Sequence, residues 1–522
     1  MANPAPAELP LSEELYTTEM GIFRPPLMRA AAVGEAIVLD RSRFTKTVNL
    51  AAAAVADVKQ ISGWRRKLQQ DRSLISAERI SAVVSHPEPA LASRGTKCLL
   101  LDPRIKPGAP ETWTPVLRAG VQAAELGIVP YDLQLNYDYW LYEDIMRSIL
   151  PAEVRDENDG FPVGFNQAGH VAHLNLREAF LPYRKVIAEV LLDKNASVRT
   201  VINKVANVGN QSEFRTFAYE VLAGPDDLDV ETRENNCVFR FDYSKVYWNS
   251  KLENEHRRLV NLFTPGEVVC DVMAGIGPFA VPAGKKGVFV WANDYNPDSY
   301  RYLAENAKRN KVSQFVRSFN EDGRAFIRRA ADLVYEASMR GEHAVVEPTR
   351  RDKRRQQARN ETSTTAHASS SSPPSSSPPP SSPPTPPLPE PRRVPLPPTI
   401  SHFVMNLPAS ALSFLPHFRG LYAGREHLFA PRTETPLPLV HVHCFAGKGE
   451  GDGPLLDVAE RASRELGLDD GNGKTAPLRL GRAGEPGEIE VLEVRNVAPN
   501  KRMFCASFRL PPEVAFAPRP GV

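Results

Sequence analysis

The 522-residue sequence predicts an α/β chain. Its C-terminal half reads as a doubly wound, mostly parallel sheet with an antiparallel last strand, preceded by two smaller α+β domains. Three observations carry this expectation. From residue 266 strand-like runs alternate with helical ones (EVVCDVMAG, VFVWANDYNPDSYRYLAENAKRN, VRSFNEDGRAFIRRA, HFVMNLP), the order that builds parallel sheets. After LVHVHCFA the chain closes on two strand-like runs, EIEVLEVRNVAP and RMFCASFRL, around a short turn at Ala498, Pro499 and Asn500, which implies an antiparallel pair. Before residue 250 the helical and strand-like runs are short and mixed, and the length suits about three domains.

Composition sets the bounds. Apolar residues make up 42% and charged residues 24%, ordinary for a globular protein with real cores. No stretch approaches the ~18 uninterrupted apolar residues of a membrane-spanning helix, so no membrane partner is expected. Cys98, Cys237, Cys270, Cys444 and Cys505 form no C-x-x-C pair. That argues against a disulfide framework or a zinc finger and suits a reducing compartment. Net charge is +2, from 64 basic and 62 acidic residues, too balanced for a general nucleic-acid coat. Contact with RNA must come from local basic patches. Residues 1–19 hold four glutamates and no Lys or Arg, the opposite of a mitochondrial presequence. From Met20 or Met28 arginines appear, so an internal start would expose a weak import signal.

In chain order, KQISGWRRKL is helical with a basic face and KCLLLDPRI is a buried strand. The turn residues near 107–115 (PGAPETWTP) read as a linker. Residues 136–150 (NYDYWLYEDIMRSIL) place apolar side chains near i, i+3 and i+4, an amphipathic helix. FPVGFNQAGHVAHLNL is a hairpin or strand pair, and LPYRKVIAEVLLDKN is a helix. VRTVINKVANVG, RTFAYEVLAG and NNCVFRFDYSKVYWN alternate like strands. LENEHRRLVNLF, over 252–263, is a helix leading into the parallel sheet. The domains expected are therefore 15–112, 136–250 and 251–522. Fourteen of the 48 prolines fall in residues 369–398. This Ser/Pro text follows a basic cluster (Arg350, Arg351, Lys353, Arg354, Arg355) and cannot bury a core. Ordered pattern resumes at Ile400, so about 345–398 reads as a disordered insertion within the last domain.

The strongest local signal is EVVCDVMAGIGPFAVPAG, residues 267–284. A buried strand ends in Asp271, a turn carries Gly275 and Gly277, and a helix follows. Ligands of doubly wound sheets sit at the carboxyl ends of the strands, and glycines there let backbone approach them. The second strand ends in Asp294, where a carboxylate is suited to accept both hydroxyls of a ribose. Asp322 follows the third strand, placed to read an adenine amino group. A dinucleotide needs G-x-G-x-x-G to seat its pyrophosphate. Here Ala280 stands at the third glycine position, Pro278 interrupts, and Asp271 would repel phosphate. An acidic loop fits a cationic, phosphate-free ligand, and S-adenosylmethionine has that chemistry.

The fourth strand and its exit are HFVMNLPASAL, residues 402–412. Many base-modifying methyltransferases carry Asn-Pro-Pro-aromatic here, the aromatic stacking on a flipped base. This chain has Asn406, Leu407, Pro408, Ala409. The absent aromatic speaks against exocyclic-amine methylation and for another way of holding the base. His170 and His173 are spaced like a metal pair, but no Cys or carboxylate set completes a site. No metal is expected.

Together the stretches GHVAHLNLRE, SEFRTFAYEVLAG, FDYSKVYWNSKLENEHRRL, DVMAGIGPFAVPA and NLPASAL resemble the eukaryotic and archaeal tRNA (guanine(37)-N1)-methyltransferases over most of 136–340 and 400–512. The resemblance implies a Rossmann-like class I methyltransferase domain. It implies transfer of a methyl group from S-adenosylmethionine to N1 of guanosine 37 in tRNA, which supports reading-frame maintenance. N1 must lose its proton as it attacks, so the chemistry asks for a general base and for stabilisation of charge on O6. By resemblance Glu255 matches the base, Arg215 the holder of O6, Asn406 a contact to guanine edge and cofactor, and Pro408 the residue shaping that loop. Tyr247 and Lys251 match substrate contacts. His256 stands where some archaeal members carry arginine, as a cofactor contact beside Asp271, Gly275, Gly277, Asp294 and Asp322. The N-terminal domain would sense tRNA shape. Arg65, Arg66, Lys67, Lys501 and Arg502 would meet phosphates. A monomer is expected, and the family's members work in cytoplasm, nucleus and mitochondrial matrix. Two other readings share the fold: a sister transferase moving the aminocarboxypropyl group in wybutosine synthesis, and a non-catalytic tRNA-binding protein.

Overall fold

A computed structural model describes residues 24–26, 38–156, 161–162, 164–205, 214, 218–346, 348, 391–447, 449, 451–468, 476–498 and 501–519. The chain forms two compact units. The first comprises Met1–Phe165, Ala172–Lys204 and Glu220–Asp226; the second comprises Asn166–Val171, Val205–Tyr219 and Asp227–Val522. Among the described residues no helix is long and apolar enough to cross a membrane. Residues 27–37 of the stretch expected to carry an import signal, and residues 349–390 of the Ser/Pro insertion, lie outside the described residues.

The first unit is built on an antiparallel sheet of β1 (Lys46–Val55), β2 (Val83–Ser85), β3 (Lys97–Leu100) and β4 (Leu126–Leu135), in the order β2-β3-β1-β4. Side chains alternate across a strand, and β1 buries both sets. Ala51, Ala53 and Val55 pack with Trp64 and Leu68 of helix α1 (Ile61–Gln70) and Leu117 of α2 (Pro115–Gln122). Val48, Leu50 and Ala52 pack with Ile145 and Ile149 of α3 (Tyr142–Ile149) and Ile187 and Leu191 of α4 (Arg184–Lys194). The alanine run of β1 keeps the sheet thin enough for a helical layer on each face. The helix expected from residue 136 starts at Tyr142, because Asn136 Oδ1 accepts the Asp138 N–H at 3.2 Å and holds a turn there. The expected linker near 107–115 is a short 3-10 turn over Pro110–Thr112 followed directly by α2. Past the residue 112 end of the expected first domain, β4 continues the sheet to Leu135.

From Asp227 the second unit runs through a hairpin of β5 (Asp229–Glu234) and β6 (Cys237–Asp242). The two-residue turn puts Asn235 and Asn236 at φ 48° and 60°, the left-handed conformation that asparagine tolerates in tight hairpins. Helix α5 (Glu253–Leu262) leads into alternating units: β7 (Val268–Asp271), α6 (Ala280–Lys286), β8 (Phe289–Asn293), α7 (Pro297–Arg309), β9 (Val316–Phe319) and α8 (Gly323–Met339). Caps fix the boundaries. Asn296 and Asp322 accept the N–H of Asp298 and Arg324 at the starts of α7 and α8, and Gly287 at φ 88° ends α6. A short hairpin, β10 (His343–Val346) with β11 (Arg392–Pro395), closes the base of the insertion. Then come β12 (His402–Met405), β13 (Leu439–Ala446), α9 (Gly453–Leu466), β14 (Arg479–Leu480), β15 (Glu488–Ala498) and β16 (Lys501–Arg509).

The large sheet runs β9-β8-β7-β12-β13-β16-β15-β14. Its first five strands are parallel, and β16 returns antiparallel between β13 and β15. One face carries the main core, where Cys270, Trp291, Phe403, Val440, Val442 and Phe504 meet Phe326 of α8, Phe414 and Phe418 of a 3-10 helix (Ala411–Phe418), and Val458 of α9. The expected doubly wound order and antiparallel finish are therefore present. The two-residue edge strand β14 and the hairpin at the insertion are additions that the sequence pattern does not announce.

Candidate functional site

The strand ends of β7, β8, β9 and β12 border a cavity of about 370 Å³, within the range of small-ligand sites. Asp294 follows β8 on its rim. Its carboxylate accepts the Gly275 N–H at 2.8 Å and the Asn296 N–H at 2.9 Å. Burial raises its pKa to about 6. Asp322 stands exposed on the opposite wall, accepting from Arg324. Asn406, just past β12, and exposed Tyr247 complete the set of expected residues that the cavity gathers.

Gly275 and Gly277 adopt φ 55° and 98°, the region that favours glycine. A Cβ on Gly277 would lie 2.8 Å from both Leu303 and Val281 side-chain atoms. Gly277→Ala is expected to cost about 1–3 kcal/mol, mostly as backbone strain. Denaturant unfolding monitored with and without cofactor checks this; an unchanged midpoint contradicts it.

Other expected residues lie outside the cavity lining. Asp271 is wholly buried, and neither carboxylate oxygen has a hydrogen-bond partner among the described residues. Burial, then the charge of Asp294, drives its pKa well above the usual carboxylate range. The charge argument made for Asp271 therefore falls to Asp294 and Asp322. His256 is buried against Phe279, and its Nδ1 meets Glu234 Oε1 at 2.5 Å. Lys251 is exposed on a turn capped by Asn249. Pro408 is buried, its carbonyl accepting the Phe445 N–H. His170 Nε2 faces Asp227, 3.0 Å from its carbonyl oxygen. Arg215 lies outside the described residues.

Glu255 is also outside the cavity lining, on α5 and 6% exposed. Arg258 donates to both carboxylate oxygens, at 2.7 and 2.9 Å, and His443 Nε2 lies 2.8 Å from Oε1. Burial alone would raise its pKa, but His443 and Arg258 together hold it down at about 2. It is ionised throughout the neutral range. Beside it, His441 Nε2 meets His402 Nδ1 at 3.0 Å and its Nδ1 meets Ser507 Oγ at 2.8 Å. This makes a buried polar seam across β12, β13 and β16.

The sequence reading missed the aromatic walls. Tyr295, Phe214 and Phe414 line the cavity with Tyr247. Phe214 and Tyr295 rings lie 5.8 Å apart, and the Arg324 guanidinium sits 4.4 Å over Phe414. Aromatic side chains thus reach the cavity from elements other than the Asn406 loop. Tyr295 directly follows Asp294, and that adjacency was the signal available.

The carboxylates and aromatic walls fit a cationic adenosine-bearing cofactor. Residues 230–355 match the family model described as the TRM5/TYW2 methyltransferase domain, and residues 142–227 match that of the TYW2 N-terminal domain. A tRNA (guanine(37)-N(1))-methyltransferase of Neurospora crassa is 56% identical, covering 97% of this chain and 98% of that protein. Proteins of the same name are 54% identical in Fusarium vanettenii (96% and 98% covered) and 40% in Schizosaccharomyces pombe (92% and 95%). Among solved structures, Trm5b from Pyrococcus abyssi (TM-score 0.50, 20% identity) and aTrm5 in complex with tRNALeu (TM-score 0.52, 17% identity) share the fold. Each alignment covers 88% of this chain and 99% of the other.

Proposed function

We infer the reaction from one premise: the chain belongs to the tRNA (guanine(37)-N1)-methyltransferase family. It is an S-adenosylmethionine-dependent enzyme that methylates N1 of guanosine 37 in tRNA. When bound, the cofactor supplies a methyl group on a positively charged sulfur. In our reading Asp294 would accept the ribose hydroxyls, Asp322 the adenine amino group, and Gly275 would let backbone approach. The observation carrying this reading is the half-buried Asp294 carboxylate, oriented by two amides toward the cavity that Asn406 shares.

The remaining steps fall to the protein's own groups. Asn406 would hold the guanine edge, with Tyr247 and its aromatic neighbours covering the base and excluding water. Arg215 would steady negative charge on O6. Glu255, ionised at neutral pH, would take the N1 proton on a carboxylate oxygen. Its site connects to the Asn406 loop through His443 and the Met405 carbonyl.

The family model spans both TRM5 and TYW2, so aminocarboxypropyl transfer is the second reading. Incubation with labelled cofactor and tRNA transcripts carrying G or A at position 37 separates them. We expect 1-methylguanosine from the G37 transcript alone, with S-adenosylhomocysteine released. Methylthioadenosine as by-product would overturn the assignment.

A further inference from the structure

Strand β13 divides its side chains by alternation. Val440, Val442 and Cys444 enter the main core. His441 and His443 turn to the other face, where Glu255 and Arg258 of α5 meet them. His443 is completely buried. Its Nε2 lies 2.8 Å from Glu255 Oε1 and its Nδ1 lies 3.4 Å from the Met405 carbonyl oxygen. A carboxylate and a carbonyl both accept and cannot donate, so a ring bonded to both carries a proton on each nitrogen. That ring is an imidazolium, and its pKa is accordingly raised to about 10, against the pull of burial and with the help of Cys505 and Glu255.

Arg258 bonds Glu255 from three residues along the same helix, and its own link to the sheet runs to Cys505 of β16, away from the Asn406 loop. His443 is the group that ties the Glu255 carboxylate to β12. Met405 is the last residue of β12, and Asn406 follows it. We propose that His443 is a positioning residue for methyl transfer, clamping the Glu255 carboxylate to the Met405 main chain. The proton acceptor and the Asn406 loop are thereby held in one relation. The proposal rests on the reading of Glu255 as general base.

Two effects of removing His443 oppose each other. Without the imidazolium, Glu255 becomes a stronger base, which would raise the rate by up to about tenfold. Losing the clamp lets the carboxylate wander, and a displacement of about 1 Å costs on the order of 10²-fold. Geometry wins. His443→Phe is expected to be about tenfold slower in single turnover, with cofactor affinity by calorimetry unchanged. The acid limb of its rate–pH profile should move up toward neutrality. The groups facing Glu255 are Arg258 from α5, His441 and His443 from β13, and Cys505 from β16, and His443 also acts on Asp271 of β7. Losing the imidazolium leaves Arg258 as the one cation bonded to the carboxylate.

His443→Gln retains one N–H for Glu255. It should recover most of the rate while its acid limb still rises, because its amide carries no charge; it also serves if phenylalanine unfolds the unit. In a Glu255→Gln background, adding His443→Phe should change the rate by less than twofold. A full additional loss there would mean that His443 acts on the fold and not through the carboxylate. An acid limb and rate unmoved in both single variants overturn the proposal, while a slow Glu255→Gln keeps the base reading standing. A near-normal Glu255→Gln rate is a different result, which removes the base reading and this proposal with it.

Discussion

Glu255→Gln is expected to slow single-turnover methyl transfer by roughly two to four orders of magnitude, the range of general-base catalysis, while cofactor affinity holds. Glutamine keeps the shape and loses the proton-accepting oxygen pair. It also strands two cationic partners, Arg258 and His443, in a buried place. Breaking a buried ion pair from one side typically costs about 3–5 kcal/mol, so rates must be scaled to folded protein. Linkage supplies an independent check. The Glu255 pKa is depressed from its usual 4.5 to about 2, so its contribution is complete above 4.5 and is lost as pH falls through 2. The His443 pKa is raised from 6.5 to about 10, so its contribution is complete below 6.5 and is lost as pH rises through 10. The stability gap between wild type and Glu255→Gln should therefore be widest between pH 4.5 and 6.5 and narrow on either side. Denaturant titrations at pH 5.5 and 9.5 measure it. A flat gap with a near-normal rate would remove the pair from both stability and mechanism.

The strand order, the glycine turn and the residues that end β8 and β12 were legible because each is a local pattern. EVVCDV, VFVWAND and HFVMNLP are apolar runs ending in a polar residue, and parallel sheets put those ends on one side. Asp294 and Asn406 follow from that rule alone. The partner of Glu255 does not. His443 lies 188 positions away, and LVHVHCFA shows only that His441 and His443 share a face, not which face or beneath which helix. The seam of His402, His441, Cys505 and Ser507 exists because three strands become neighbours. Asp271 shows the opposite failure. Its place in the chain matched a charged pocket wall, but burial at the foot of the loop favours its neutral form. Type and spacing told where the residue sits; the dielectric around it decides what charge it carries.

Asp294→Ala should weaken cofactor binding on the order of 10²- to 10³-fold with little change in the stability of the free protein. Charge-assisted hydrogen bonds are worth about 1.5–3 kcal/mol each, and two ribose hydroxyls would lose their acceptor. The stability prediction comes from two opposing terms. Burial raises the Asp294 pKa to about 6, so at neutral pH the folded chain carries this charge at a cost that alanine relieves. Alanine also leaves the Gly275 and Asn296 amides without their acceptor, at about 1–3 kcal/mol each when buried. The terms roughly offset, so weak binding cannot be blamed on unfolding. The ionised carboxylate is the form that accepts two hydroxyls, so wild-type affinity should fall as pH drops below 6. Asp294→Asn, which does not titrate, should bind weakly at every pH. Calorimetry at pH 5.5 and 7.5 on the three proteins reads all of this. Equal affinity of wild type and Asp294→Ala would move the ribose elsewhere. A pH-independent wild type would leave the ribose contact in place and show instead that the carboxylate stays ionised despite its burial.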